Sequence, residues 1–210
     1  MIKLLIIIII TISSSINAQD LVAEKILDRL SEKGKSYTDI FAEFSFNFSN
    51  EEQGISEDSE GKIWIKDDMY KLNMSSDLTI INNSETLWYF MKDINEVQVM
   101  DNEPDDEMNP SRIFSIYERG YEYKYIGDST INNETFNIIY LYPNENGTLS
   151  KVVLLIDKEI MEIRSILLTD KNNGVTTYSI TKFITNSNLL DELFSFKRKN
   201  YPGVEIIDLR

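Results

Sequence analysis

The feature that most restricts the fold is the strict alternation running through residues 61–100. Gly61-Lys62-Ile63-Trp64-Ile65-Lys66 leads through Asp67-Asp68 into Met69-Tyr70-Lys71-Leu72-Asn73-Met74. After a polar break come Thr86-Leu87-Trp88-Tyr89-Phe90 and Glu96-Val97-Gln98-Val99-Met100. Successive strand side chains point to opposite faces, so the pattern builds one wet face and one apolar face. Turn residues recur roughly every eight to ten positions, which predicts an antiparallel meander. The functional question is what lies against the apolar face. The reading is that protein covers only part of it and that the remainder takes lipid.

The flanking sequence continues the theme. Asp20 is placed to cap a helix reaching about Lys33, with Leu21, Val22, Ile26, Leu27 and Leu30 as its apolar stripe and Gly34 to end it. Tyr37 to Ser49 reads as a strand with Ala42, Phe44, Phe46 and Phe48 on one side. Residues 50–60 are acidic and read as a mobile turn. Pro110 and Ser111 introduce Ile113, Phe114, Ile116 and Tyr117 as a short amphipathic helix stopped at Gly120. Strands follow at Tyr121–Tyr125, Thr135–Tyr142, Lys151–Ile156, Glu162–Thr169 and Val175–Ile184. Asn188–Leu193 reads as a helical turn. Phe194–Lys197 and Val204–Ile207 read as closing strands around Pro202-Gly203. The class is mainly β (α+β), with about eleven strands and roughly two or three helices, paired as sequence neighbours throughout. A sheet this long curls. It either closes or leaves a hollow for the N-terminal helix (Ile26, Leu30) and the Pro110–Gly120 helix (Ile113, Phe114, Tyr117) to plug.

Composition narrows the function. Lys3, the apolar run Leu4 to Ile12 and Ser13 to Ala18 read as a signal peptide cleaved after Ala18, leaving a single domain over 19–210. The run is too short to span a bilayer. There is no Cys, so the signal lacks a lipobox and the exported chain forms no disulfide. The net charge of −14 argues against nucleic acid and anionic headgroups as electrostatic partners. There is no His, which removes Ser-His-Asp triads, histidine bases and histidine metal sites. No acidic pair sits in a readable catalytic motif, so neither an enzyme nor a cofactor is expected. The sequons at Asn47, Asn73, Asn82, Asn133 and Asn146 read as products of an Asn- and Ser-rich composition.

The order of parts resembles the LolA-type periplasmic lipoprotein carriers. It runs from signal and helix through the Gly61-x-Ile-x-Ile-Lys66 strand, an aromatic-plus-basic strand, Leu87-Trp88-Tyr89 and a Pro-led helix. Asp170 to Gly174 is similar to the family's Asp-x-x-Gly turn. Phe194-Ser195-Phe196 with Pro202-Gly203-Val204 is similar to its closing pattern. The resemblance spans the whole mature chain. It implies an unclosed, strongly bent antiparallel β-barrel with helices over the concave side. It also implies a cavity for lipoprotein acyl chains, an inner-membrane ABC release complex and an outer-membrane receptor as partners, a monomer, and the periplasm of a Gram-negative bacterium. The same fold also serves envelope sensors and regulators, the alternative reading. On the residues, Phe44, Phe46, Ile63, Ile65, Tyr70, Leu72, Met74, Trp88 and Phe90 are the candidate cavity lining, with Trp88 and Phe90 in competition with Leu87 and Tyr89. The family's latch arginine is replaced: Asp67-Asp68 forms the turn and Lys71 follows Tyr70, so Lys71 is the candidate latch, without the planar fork of arginine.

Overall fold

Alternation of apolar and polar residues produces one twelve-stranded sheet. This computed structural model describes residues 16–75, 77–103, 110, 120–144 and 147–210. The chain enters through α1 (Ile16–Lys35). A first meander runs β1 (Ile40–Asn50), β2 (Ile55–Lys66), β3 (Met69–Met74), β4 (Leu78–Asn82), β5 (Thr86–Met91) and β6 (Glu96–Asp101). A second runs β7 (Tyr121–Ile131), β8 (Glu134–Pro143), β9 (Leu149–Asp157), β10 (Ile163–Asp170) and β11 (Val175–Thr185). Two 3-10 turns, Asp191–Phe194 and Arg198–Asn200, precede β12 (Glu205–Asp208).

The strand order is β12-β6-β5-β4-β3-β2-β1-β11-β10-β9-β8-β7. Neighbour pairing therefore fails in three places. β6 and β7 are not paired, β1 joins the two meanders by pairing with β11, and β12 returns to lie parallel to β6. β12 and β7 form the two ends, so the sheet does not close. Hairpin turns use the residues that tolerate a left-handed backbone. Asn132 and Asn133 (φ 51° and 67°) join β7 to β8, and Asp67 (φ 52°) sits between β2 and β3.

Several expectations are corrected. Residues 55–60 are not a turn: Ile55 to Glu60 pair with Asn50 to Ser45, so β2 is twice the expected strand. The polar break conceals β4, paired to both β3 and β5. Phe194–Lys197 is not a strand, because Phe194 ends a 3-10 turn. Asp20 lies inside α1, which starts at Ile16. Among the described residues there is one α-helix rather than two or three. The expected helix with Ile113, Phe114 and Tyr117 lies outside the described residues, as do residues 1–15 of the expected signal.

The sheet has an α1 side, here the helix face, and an outer face. On the helix face of the second meander, Ala23, Leu27 and Leu30 of α1 pack on Ile139, Leu141, Val152, Leu154 and Ile156 with Met161 and Ile163. On the outer face of the first meander, the strap that follows β11 packs Val204, Phe196 and Tyr201 against Phe90, Val97 and Trp88. The helix face of the first meander carries the third cluster.

Candidate functional site

Cross-strand register assembles that third cluster. Directly paired residues of adjacent strands share a face. One row runs Ile40–Ile65–Tyr70–Asn82–Leu87–Met100, and the next runs Ala42–Ile63–Leu72–Ile80–Tyr89–Gln98. Phe44 pairs with Gly61, and Gly61 with Met74. Phe46 pairs with Tyr178, and this row continues through Ile166, Leu154 and Ile139 to Tyr125 under α1. One apolar face thus spans both meanders. α1 packs on the second-meander half, and the first-meander half is the candidate site.

Seven of the nine candidate lining residues meet there. Phe44, Ile63, Ile65 and Tyr70 are buried, and Phe46, Leu72 and Met74 are half-buried around them. The sequence reading missed Ile40, Ile80, Met100, Ile180 and Phe183 in this cluster; it put Ala42 on the Phe44 side without counting it as lining, and held Leu87 and Tyr89 only as competitors of Trp88 and Phe90. Strand register, which no local pattern carries, brings them in. Gly61 lets the Phe44 ring lie down across β2, since a Cβ there would stand 2.3 Å from Phe44 Cζ. Tyr178 sits edge-on to two rings, 5.6 Å from Phe44 and 5.4 Å from Phe46. Burial pushes its phenol pKa up. The cluster is aliphatic, aromatic and Met side chains, the kind of large adaptable surface that suits a non-specific apolar guest.

Trp88 and Phe90 are corrected to the outer face. Trp88 stacks on Phe196 at 6.5 Å, and Phe90 meets Tyr201 edge-on at 4.6 Å. Leu87 and Tyr89 take the helix face instead. Every residue of Leu87–Met91 is apolar, so alternation alone does not choose a phase. The aromatic strap makes the choice.

Lys71 is not a latch to α1, and the other candidate lid helix lies outside the described residues. With Tyr70 and Leu72 on the helix face, Lys71 must point outward. Its ammonium lies 6.0 Å from the Trp64 ring, and burial lowers its pKa. It stands on the opposite side of the sheet from α1 and cannot tie the two together. Lys33 does so instead. It donates to Glu162 at 3.1 Å and to the Ile160 carbonyl, pinning the end of α1 to the β9–β10 turn. The lid candidates Ile26 and Leu30 pack in the second-meander cluster, apart from the seven lining residues. Tyr37, just beyond the helix, joins the first-meander cluster against Phe183 at 5.9 Å. The segment from Lys33 to Tyr37 is therefore the joint between covered and candidate halves.

Polar contacts frame the cluster. Asn82, 1% exposed, donates to Asn102 at 2.6 Å. The Asp39 carboxylate accepts N–H groups from Ser187 at 2.8 Å and Leu189 at 3.2 Å, fixing the chain after β11 to the start of β1. Burial raises the Asp39 pKa, and these hydrogen bonds outweigh it, so the net shift is down. A recess of about 330 Å³ between β1, β2 and β11 is lined by Phe46 together with Ser45, Asn47, Asp58, Ser59, Glu60, Thr177 and Ser179. Among the described residues no group of three His, Cys, Asp or Glu is placed to hold a metal ion. No described helix is long and apolar enough to cross a membrane.

Similarity to known proteins agrees with this architecture. No curated protein matches the sequence. An uncharacterised conserved protein from Thermus thermophilus superposes with a TM-score of 0.60 at 11% identity, covering 88% of this chain and 98% of that one. A DUF1329 family protein from Desulfovibrio piger gives 0.50 at 9%, covering 84% and 97%. A putative outer membrane lipoprotein-sorting protein domain from Vibrio parahaemolyticus gives 0.49 at 11%, covering 86% and 98%. The sequence model described as outer membrane lipoprotein carrier protein LolA matches residues 35–197, most of the chain. The chain therefore belongs to the LolA family.

Proposed function

We propose that this protein is a periplasmic carrier that holds lipoprotein acyl chains against the helix face of β1 to β5 and ferries them from the inner to the outer membrane. The observation that carries this reading is the uneven cover, among the described residues, of one continuous apolar face. α1 packs on the second-meander half, while the Phe44, Phe46, Leu72 and Met74 half is a separate cluster without an α1 residue. Moving acyl chain out of water is worth about 0.8 kcal/mol per CH₂, so a lipoprotein crosses an aqueous gap only if a carrier replaces the bilayer contact. The surface must also let go. Edge-on aromatic rings and Met supply area without a tightly fitted shape.

Family membership supports the carrier role. An inner-membrane ABC release complex would load the protein, and an outer-membrane receptor or the membrane itself would unload it. The role requires no cofactor and no catalytic residue, and the protein would act as a monomer.

The test is release. Purified protein is added to spheroplasts holding a labelled lipoprotein, and bound acyl chains are read by native mass spectrometry. A soluble one-to-one complex is expected. A clean apo mass with the lipoprotein still in the membrane would refute the carrier and favour an envelope sensor of the same fold.

A further inference from the structure

The two ends of the acyl-chain face differ in burial and in charge. In the row Ile40–Ile65–Tyr70–Asn82–Leu87 every residue is buried, and Tyr37 and Phe183 pack in the same cluster. Along β1 and β2 away from that row, burial falls. Ala42, Ile63 and Phe44 are buried, Phe46 and Ser59 are half-buried, and Glu57 is exposed. The Ser59 and Ser75 hydroxyls share a hydrogen bond of 3.0 Å at this second end. The face thus runs from a closed apolar end to an open polar one. Charge follows the same axis. The basic side chains of β1 to β6 are Lys62, Lys66 and Lys71, and alternation turns all of them to the outer face. Lys182 of β11 pairs with Glu43 on that outer side. The carboxylates that alternation leaves on the acyl-chain face are Glu57 and Glu96, both toward the open end. Turns at that end add Glu51, Glu52 and Asp93, while Asp77 is paired with Lys92 at 3.3 Å and Asp170 stands beside Lys171. Among the described residues, the open end is acidic and no strand of the first meander puts a cation on the face.

We propose, resting on the carrier reading, that the acyl chain lies lengthwise along β1 and β2, its methyl end toward Tyr70 and Asn82 and its head toward Glu57, and that the site so selects acyl cargo with an uncharged or cationic head over anionic phospholipid. The apolar floor from Ile40 to Phe46 is roughly 20 Å long at about 3.3 Å per strand residue, which matches an extended palmitoyl chain. At the closed end the polar group is Asn82, already held by Asn102 at 2.6 Å, so a methyl group leaves nothing there unpaired. At the open end a phosphate would meet the Glu57 carboxylate with no ammonium on the face to pair it, and an anion stripped of water without a partner is costly. A glycerol, amide or amine head finds the Ser59 and Ser75 hydroxyls and the Glu57 carboxylate as hydrogen-bond partners.

The probes are monopalmitoylglycerol and its phosphate ester, which share chain and glycerol and differ in the phosphate. Each is titrated into the protein by isothermal calorimetry. The neutral probe should bind at least about tenfold more tightly at low salt, and the gap should shrink as sodium chloride rises. Glu57 and Glu85 are both exposed, so each accepts a lysine without disturbing the core. Glu57→Lys should close most of the gap. Glu85→Lys, the same charge change in the turn between β4 and β5 at the closed end, should leave it. Equal affinity for the two probes overturns the selection, and equal narrowing by the two variants overturns the orientation, while the carrier reading survives both results. Binding of neither probe overturns the carrier reading and this inference with it.

Discussion

Two residues show how narrowly local chemistry sets this fold. Asp39 is 3% exposed, and its carboxylate holds the Ser187 and Leu189 amides. Asp39→Ala leaves those donors without their acceptor and should cost about 2–3 kcal/mol, read by urea unfolding. Because the folded pKa is depressed, the stabilisation is complete above the ordinary carboxylate pKa and disappears as pH falls through the lower folded value. Asp39→Asn should therefore flatten the acid side of the stability profile and leave its neutral side parallel to wild type. An unchanged acid limb would assign the pH response elsewhere. Gly61 acts by absence. Gly61→Val drives a side chain into the Phe44 ring and should destabilise by about 1–3 kcal/mol. On the proposed function it should also lower lipid uptake, because Phe44 has to leave its place beside Tyr178.

At the scale of elements, α1 is held by packing and located by one polar tether. Leu27 is fully buried, so Leu27→Ala should cost about 2–5 kcal/mol. Lys33→Ala removes a partly exposed pair and should cost under about 1 kcal/mol, yet free the joint before Tyr37. Hydrogen exchange should then quicken in α1 with no matching change in β8 and β9. Equal exchange in wild type and variant would show the Lys33 contacts to be incidental. The helix was legible as an element, but its buried stripe was read slightly out of phase. Leu21 and Val22 are 54% and 40% exposed, and Ala23 takes the inner position. A small residue was passed over in favour of larger apolar neighbours. β4 was lost for a different reason: Leu78 to Asn82 sits among Ser, Asp and Asn, and its strand state comes from pairing on both sides. The first half of β2 is acidic and mostly exposed, so its partner β1, not its composition, makes it a strand. Seven lining residues were readable because alternation in β1, β2 and β3 is unambiguous. Trp88 and Phe90 were not, because both phases of β5 are apolar.

For the whole molecule, the sheet has two working faces that answer to different cover. The outer face of β5 and β6 is covered by a strap arriving from the far end of the chain, with Val204 buried. The helix face of the same strands keeps Phe46 and Leu72 only half-buried. A paired substitution separates them. Trp88→Ala removes a half-buried aromatic from the strap contact and should cost less than the about 3–5 kcal/mol of a fully buried one, while lipid uptake below the melting temperature stays close to wild type. Leu72→Lys puts a charge where an acyl chain would lie. A half-buried position lets a long ammonium reach water, so the melting temperature should fall modestly while uptake is lost. The two variants thus exchange their effects on stability and uptake, measured by thermal unfolding and by retention of a labelled lipoprotein. If folded Leu72→Lys retains its lipoprotein and Trp88→Ala releases it, the guest lies under the strap, and the helix face of the first meander is ordinary core.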